Sequence, residues 1–205
     1  MNKIHFKYLI LAFGLMFILD MAFGQGELLA EVDQRRIQLN KINMSVLGTW
    51  AVGNIVGSGI LRSQTQGSTR YFHEMNVIWN IVNLGLAAGG LYGAFTEDPS
   101  SYSLEQTYAA QQQIEKILLF NLALNGTYIT AGALMRERSK NILDDDVKRD
   151  RFKGYGTSLM VQGGFLLLFD LTQFILHHQH ATPKLRKVLE GIEVNGNGIG
   201  MVIHF

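Results

Sequence analysis

The feature that most constrains this chain is the run from Met75 to Phe95, which contains no Asp, Glu, Lys or Arg. An α-helix crosses a bilayer with about 20 such residues. Asn76, Asn80, Asn83, Ala87, Gly90 and Ala94 recur at alternating steps of four and three, which puts them on one helix face made of amides and small residues. Gly85, Gly89 and Gly93 form a second strip beside it. In water each would cost about 1 kcal/mol relative to alanine. In a bilayer such glycines are tolerated, and the spacing predicts close packing against a neighbouring helix.

Three more apolar stretches follow the same pattern, at 42–61, 117–135 and 156–176. The first carries Gly53 and Gly57 at small-xxx-small spacing, with Asn54 beside them. On the third span (117–135) Asn121, Asn125, Tyr128 and Gly132 share a face, and the fourth holds Gln162 and Asp170, the only acid inside any span. The blocks are twice the length of an outer-membrane strand, about 10 residues, and their period is helical, which disfavours a closed β-barrel. The expected fold is all-α: a four-helix transmembrane bundle preceded by a cleavable signal peptide and a surface amphipathic helix.

Residues 1–24 read as the signal, with Lys3 and Lys7 as its basic start, Tyr8 to Leu19 as its apolar core and Ala22-Phe23-Gly24 before a mature start at Gln25. An uncleaved anchor is the alternative. Residues 25–41 interleave Leu28, Leu29, Val32, Ile37 and Leu39 with Glu27, Glu31, Asp33, Arg35 and Arg36, an amphipathic helix at the membrane surface or packed under the bundle. Ser103 and Gln106 predict a capping box opening a helix that runs into the third span. Residues 177–205 form a tail in which Pro183 precedes a helical stretch, and Asn195-Gly196 permits a hairpin.

Charge sets the orientation. Arg62 and Arg70 join seven Lys/Arg of the 136–155 loop on one side, whereas the 96–113 loop has none. The positive-inside rule then places the first group in the cytoplasm and both mature ends in the periplasm of a bacterial inner membrane. A formal charge of +1 argues against a nucleic-acid partner. The absence of cysteine excludes disulfides and thiolate chemistry. No phosphate-binding Gly-Lys loop, nucleophile elbow or paired intramembrane carboxylates occur, so hydrolase, kinase and pump readings have no support, and no cofactor is implied.

The candidate polar core is Asn54, Asn76, Asn80, Asn83, Asn121, Asn125, Gln162 and Asp170. At 1.5 Å per residue Asn54, Asn83 and Asn125 fall within roughly 5 Å of the bilayer centre, Asn80 and Gln162 lie about 6–8 Å to the cytoplasmic side, and Asn121 and Asp170 about as far to the outer side. These amides serve either as interhelical glue or as the lining of a path or pocket for a small neutral or cationic solute. Asp170 is a functional candidate by its position, or the structural partner of a snorkelling Lys116. Asp170, Gln173, His177 and His180 share a face, and Asp170 with the two histidines is a candidate metal or proton site. Trp50 and Trp79 lie deep in their spans and are expected to donate their indole N–H to amides.

The segments Trp50-Ala51-Val52-Gly53-Asn54 and Tyr71-Phe72-His73-Glu74-Met75-Asn76-Val77-Ile78-Trp79-Asn80-Ile81-Val82-Asn83 resemble a family of uncharacterised small bacterial membrane proteins with W-x-x-G-N and Y-F-H-x-M-N-x-x-W-N-x-x-N blocks. The resemblance implies a multi-span helical protein and carries no activity. The function classes left open are a structural or accessory membrane subunit, a small transporter or channel-like module using Asp170, and a metal- or proton-handling enzyme at the outer face. The expected partners are the lipid bilayer and another membrane protein or a second copy.

Overall fold

The computed structural model describes residues 3–99, 102–190, 192–195 and 198–201, with side chains from 26 onward and none beyond 189. Four long helices, α1 (Lys3–Gln64), α2 (Gly67–Thr96), α3 (Leu104–Ser139) and α4 (Asp146–Glu190), precede two short strands, β1 (Ile192–Asn195) and β2 (Gly198–Met201). All four helices are long and apolar enough to cross a membrane. Their outward faces show Val56, Ile81, Leu86, Phe120, Leu134 and Leu168, while the inward faces bury Asn76, Asn80, Asn125, Ser158, Gln162 and Asp170. An apolar exterior around a polar interior suits a lipid-embedded bundle.

The segment at 25–41 is not a separate surface helix. It is continuous with the first span in α1, because nothing between Glu27 and Lys41 breaks a helix. Val32, Arg36, Leu39, Asn43, Leu47 and Ala51 are all buried, so the inward stripe keeps its phase from one end of the segment to the other. The signal segment also lies within α1, and its side chains are outside the described residues. Likewise α4 does not end near residue 176 but continues through Pro183 to Glu190. Proline forfeits one backbone hydrogen bond there, and packing of Ala181 and Leu185 on Val32, flanked by Leu29 and Leu104, holds the extension.

Short connections fix the order. Gly67 opens α2 with φ +60, a left-handed conformation that glycine adopts without strain. The capping box of α3 is present, with Ser103 N donating to Gln106 Oε1 (2.8 Å) and Gln106 N to Ser103 Oγ (3.3 Å). Asp145 caps α4 by accepting from Lys148 N at 2.9 Å. The β1–β2 hairpin pairs Asn195 with Gly198, and the turn residues 196 and 197 are outside the described residues.

α1 packs on α2 and α3 on α4, and α2 and α4 join the two hairpins. The glycines divide unexpectedly between these seams and the outer surface. Gly132 and Gly156 make the α3–α4 crossing: a Cβ on either would lie 2.5 Å from the other's carbonyl oxygen. Gly154 sits equally close to α2, and Gly90 meets Met44 of α1. Gly53, Gly57, Gly85, Gly89 and Gly93, by contrast, face open space. The buried face of α2 is the Asn76, Asn80, Asn83, Ala87 and Ala94 face, and the predicted glycine strip beside it points outward.

Candidate functional site

The polar core forms two tiers. The first lies toward the end carrying the basic 136–155 loop and ties α1, α2 and α4 together. Trp50 Nε1 donates to Gln162 Oε1 (3.1 Å), and Gln162 Nε2 donates to Asn76 Oδ1 (3.1 Å) and Asn54 Oδ1 (3.4 Å). Ser158 Oγ adds a bond to Asn76 Oδ1 (2.6 Å), and Asn76 Nδ2 donates to Ser58 Oγ (3.3 Å), which also contacts His73 Nδ1. Trp50 stacks on Phe165 at 3.7 Å, closing the side of this knot. Each member is held by more than one helix, as a dry interhelical network requires. Asn80 and Asn83 take a different part: Asn80 Nδ2 bonds the Asn76 carbonyl (2.8 Å) and Asn83 Nδ2 bonds Asn80 Oδ1 (3.3 Å), both within α2.

The second tier belongs to α3 and α4 and is not dry packing. Asn125 Nδ2 donates to Asp170 Oδ2 at 2.6 Å, and Asn121, one turn away, is the carboxylate's other amide partner. Lys116 is exposed and forms no salt bridge with Asp170. Beside the pair lies a cavity of about 440 Å³ that all four helices line. It runs from Trp79 and Asn83, past Asn125 and Asp170, to Gln173, His177 and Asn40. Val82, Leu86 and Ile117 stand at its edge and are largely exposed. Among the described residues α2 and α3 do not pack backbone to backbone, and the edge-to-face contact of Trp79 on Tyr128 (4.7 Å) spans the gap.

Three residues of the cavity wall carry buried polar atoms that have no partner and are turned away from the open space. Trp79 Nε1, Gln173 Oε1 and both ring nitrogens of His177 are buried without a hydrogen bond. The expectation that Trp79 donates to an amide therefore does not hold, whereas that for Trp50 does. His177 is only 1% exposed. Orphaned buried polar atoms are rare because each forfeits its hydration without replacement. Four of them, on three residues, lie in the wall of one cavity.

Beyond the cavity the helices continue into a buried charged cluster. Asp33 accepts from Arg36 Nη2 (2.7 Å) and from Thr107 Oγ1, and Arg36 also pairs with Glu97 (2.7 Å). Tyr102 donates to Glu97 at 2.8 Å. That bond, with burial, raises the Tyr102 hydroxyl above its ordinary pKa. Gln111 Nε2 donates to Glu115 Oε1 and to the His177 carbonyl, and Glu115 also meets His178 at 3.3 Å. His180 instead faces Glu31 and Lys184. Asp170, His177 and His180 thus share a helix face without converging, and among the described residues no three His, Asp or Glu side chains gather as a metal cluster.

The structure places all eight candidate polar residues inside the bundle or at its seams, but splits them: Asn54, Asn76 and Gln162 in the knot, Asn121, Asn125 and Asp170 at the cavity, with Asn80 and Asn83 linking the tiers. Asn43, Asp33, Arg36, Thr107, Gln111 and Glu115 were not among them. The stepping of Thr107, Gln111, Glu115, Leu118 and Asn125 on one face of α3 is the pattern that reveals the last group.

No curated protein and no solved structure is significantly similar to the chain. The match that exists covers both tiers and stops short of Gln173 and His177 at the cavity's far end. Through residues 46–171 the chain belongs to a family of unknown function, DUF6992.

Proposed function

We propose that this protein is a membrane-embedded binding module that takes a small neutral or cationic molecule from the bilayer into the cavity beside Asp170. The observation that carries this reading is one 440 Å³ space lined by all four helices, with the Asp170 carboxylate on its wall. The cavity edge at Val82, Leu86 and Ile117 is apolar and exposed, so its mouth faces hydrocarbon rather than water. The cavity reaches Asn83 but is closed toward Gln162 by the amide knot, which favours a one-sided pocket over a channel. The charge asymmetry of the loops supports an inner-membrane orientation with the basic end in the cytoplasm and the pocket in the outer half. Native mass spectrometry from nanodiscs tests the reading. The protein carries one bound molecule that Leu124→Trp, which fills the cavity, loses. Equal spectra for the two proteins would overturn it.

A second reading, the structural or accessory subunit, is favoured by the outward glycines of α1 and α2. Glycine strips with open space above them suit close approach of another helix, from a partner or a second copy. The chain has no cysteine, so Gly89→Cys gives a single reporter. Oxidative cross-linking of that variant in native membranes supports the reading, and exclusive monomer opposes it.

A further inference from the structure

We infer that the molecule held in the cavity is an organic cation: a protonated amine carried on an apolar or aromatic body. This rests on the pocket reading above and names its ligand class.

The charge around the cavity points one way. Asp170 is the one formally charged side chain among the lining residues, and no Lys or Arg joins it there. The nearest buried cation along α1, Arg36, is already held by Asp33 and Glu97. A lone carboxylate in a membrane interior is costly unless it meets a counter-charge or strong donors. Asn125 supplies a donor at Oδ2 and Asn121 another, and amide donors leave the charge itself unbalanced.

The unpartnered groups in the wall near it are two acceptors and two donors, the donors being one His177 nitrogen and Trp79 Nε1. Gln173 and His177 follow Asp170 along the same face of α4, one turn after another, with Gln173 Oε1 and the His177 ring nitrogens unpaired. A neutral imidazole offers one acceptor nitrogen and one donor. The Asp170 carboxylate matches an ammonium group, which carries the opposite charge, three donors and no acceptor. An anion would face Asp170 directly. A lipid acyl chain would bring Asp170 no counter-charge.

The other end of the cavity suits the body of such a molecule. Trp79, Tyr128 and Phe169 offer aromatic surface, with Leu124 and Leu166 between them. Aromatic faces also attract cations where water is excluded. The lipid-facing mouth admits a molecule that partitions into the bilayer, as an amine with an apolar body does.

The test uses the full chain in phosphatidylcholine nanodiscs with radiolabelled 4-phenylbutylamine, competed by its neutral and anionic counterparts 4-phenylbutanol and 4-phenylbutyrate, against empty nanodiscs. The amine binds at least about tenfold more tightly than the alcohol, and the acid does not compete. Asp170→Asn removes that preference while alcohol binding is retained. This comparison is first made on the unmutated protein, so it does not depend on how a variant folds. Equal affinity for amine and alcohol would overturn the cationic ligand and leave the pocket standing. Failure of all three probes to bind would overturn both.

Discussion

Asn125 of α3 holds the Asp170 carboxylate of α4 at 2.6 Å, and this bond stands on the wall of the cavity that the four helices line. The pair is a matched donor and acceptor on facing helices, so its worth is testable by exchange. Asn125→Asp sets two carboxylates against each other and is expected to cost about 2 kcal/mol or more in a detergent unfolding titration. The double variant Asn125→Asp with Asp170→Asn restores the pairing and most of the stability. If the double variant is no better than the single, the contact is not what positions Asp170.

The amide knot predicts unequal effects among similar residues. Gln162→Leu removes bonds to Trp50, Asn76 and Asn54 at once, three links between helices. Its expected cost is about 1–2 kcal/mol. Trp50 emission shifts as its indole loses its acceptor. Asn80→Leu with Asn83→Leu breaks bonds made within α2, so the double replacement is expected to cost less than Gln162→Leu alone. The order of unfolding midpoints decides.

Glycine replacement separates seam from surface. At Gly132 an added Cβ meets the Gly156 carbonyl, and Gly132→Ala is expected to lose about 1–3 kcal/mol. At Gly89 nothing stands within 4 Å, and Gly89→Ala is expected to be neutral or stabilising by up to about 1 kcal/mol. Equal losses at both positions would mean that the outward strip is packed in the assembled protein.

The buried Asp33–Arg36 cluster predicts a large effect from one charge. Arg36 and Asp33 are 3% and 1% exposed, and removing one buried partner strands the other. Arg36→Met is expected to cost about 3–5 kcal/mol. Adding Asp33→Asn recovers part of that, because it removes one of the two carboxylates left without Arg36, Glu97 being the other. Hydrogen exchange over residues 26–41 and 104–111 reads the loosening directly.

Much of this was legible from periodicity. The asparagine face of α2 is its buried face at five of six positions, Gly90 being half-buried, and the Ser103 and Gln106 cap stands where their spacing predicts. What periodicity leaves undecided is which of two polar or small strips turns inward. Gly85, Gly89 and Gly93 lost to the asparagines because amides in hydrocarbon must find partners, whereas glycine forfeits nothing by facing lipid. The continuity of α1 was hidden by composition: charged residues at 27–41 suggested a boundary, yet the inward stripe runs across it in phase. The cavity was not legible at all. Asp170, Gln173 and His177 give the face, but only the separation of α2 from α3 makes that face hollow.

The unbroken course of α1 has a mechanical consequence. Between the Asp33–Arg36 cluster and Leu47 at the cavity wall the helix contains neither glycine nor proline. Such a rod does not absorb a tilt applied at one end. A tilt applied at the Asp33–Arg36 cluster therefore moves Asn43 and Leu47 with it, and the wall of the pocket becomes the short arm of a lever.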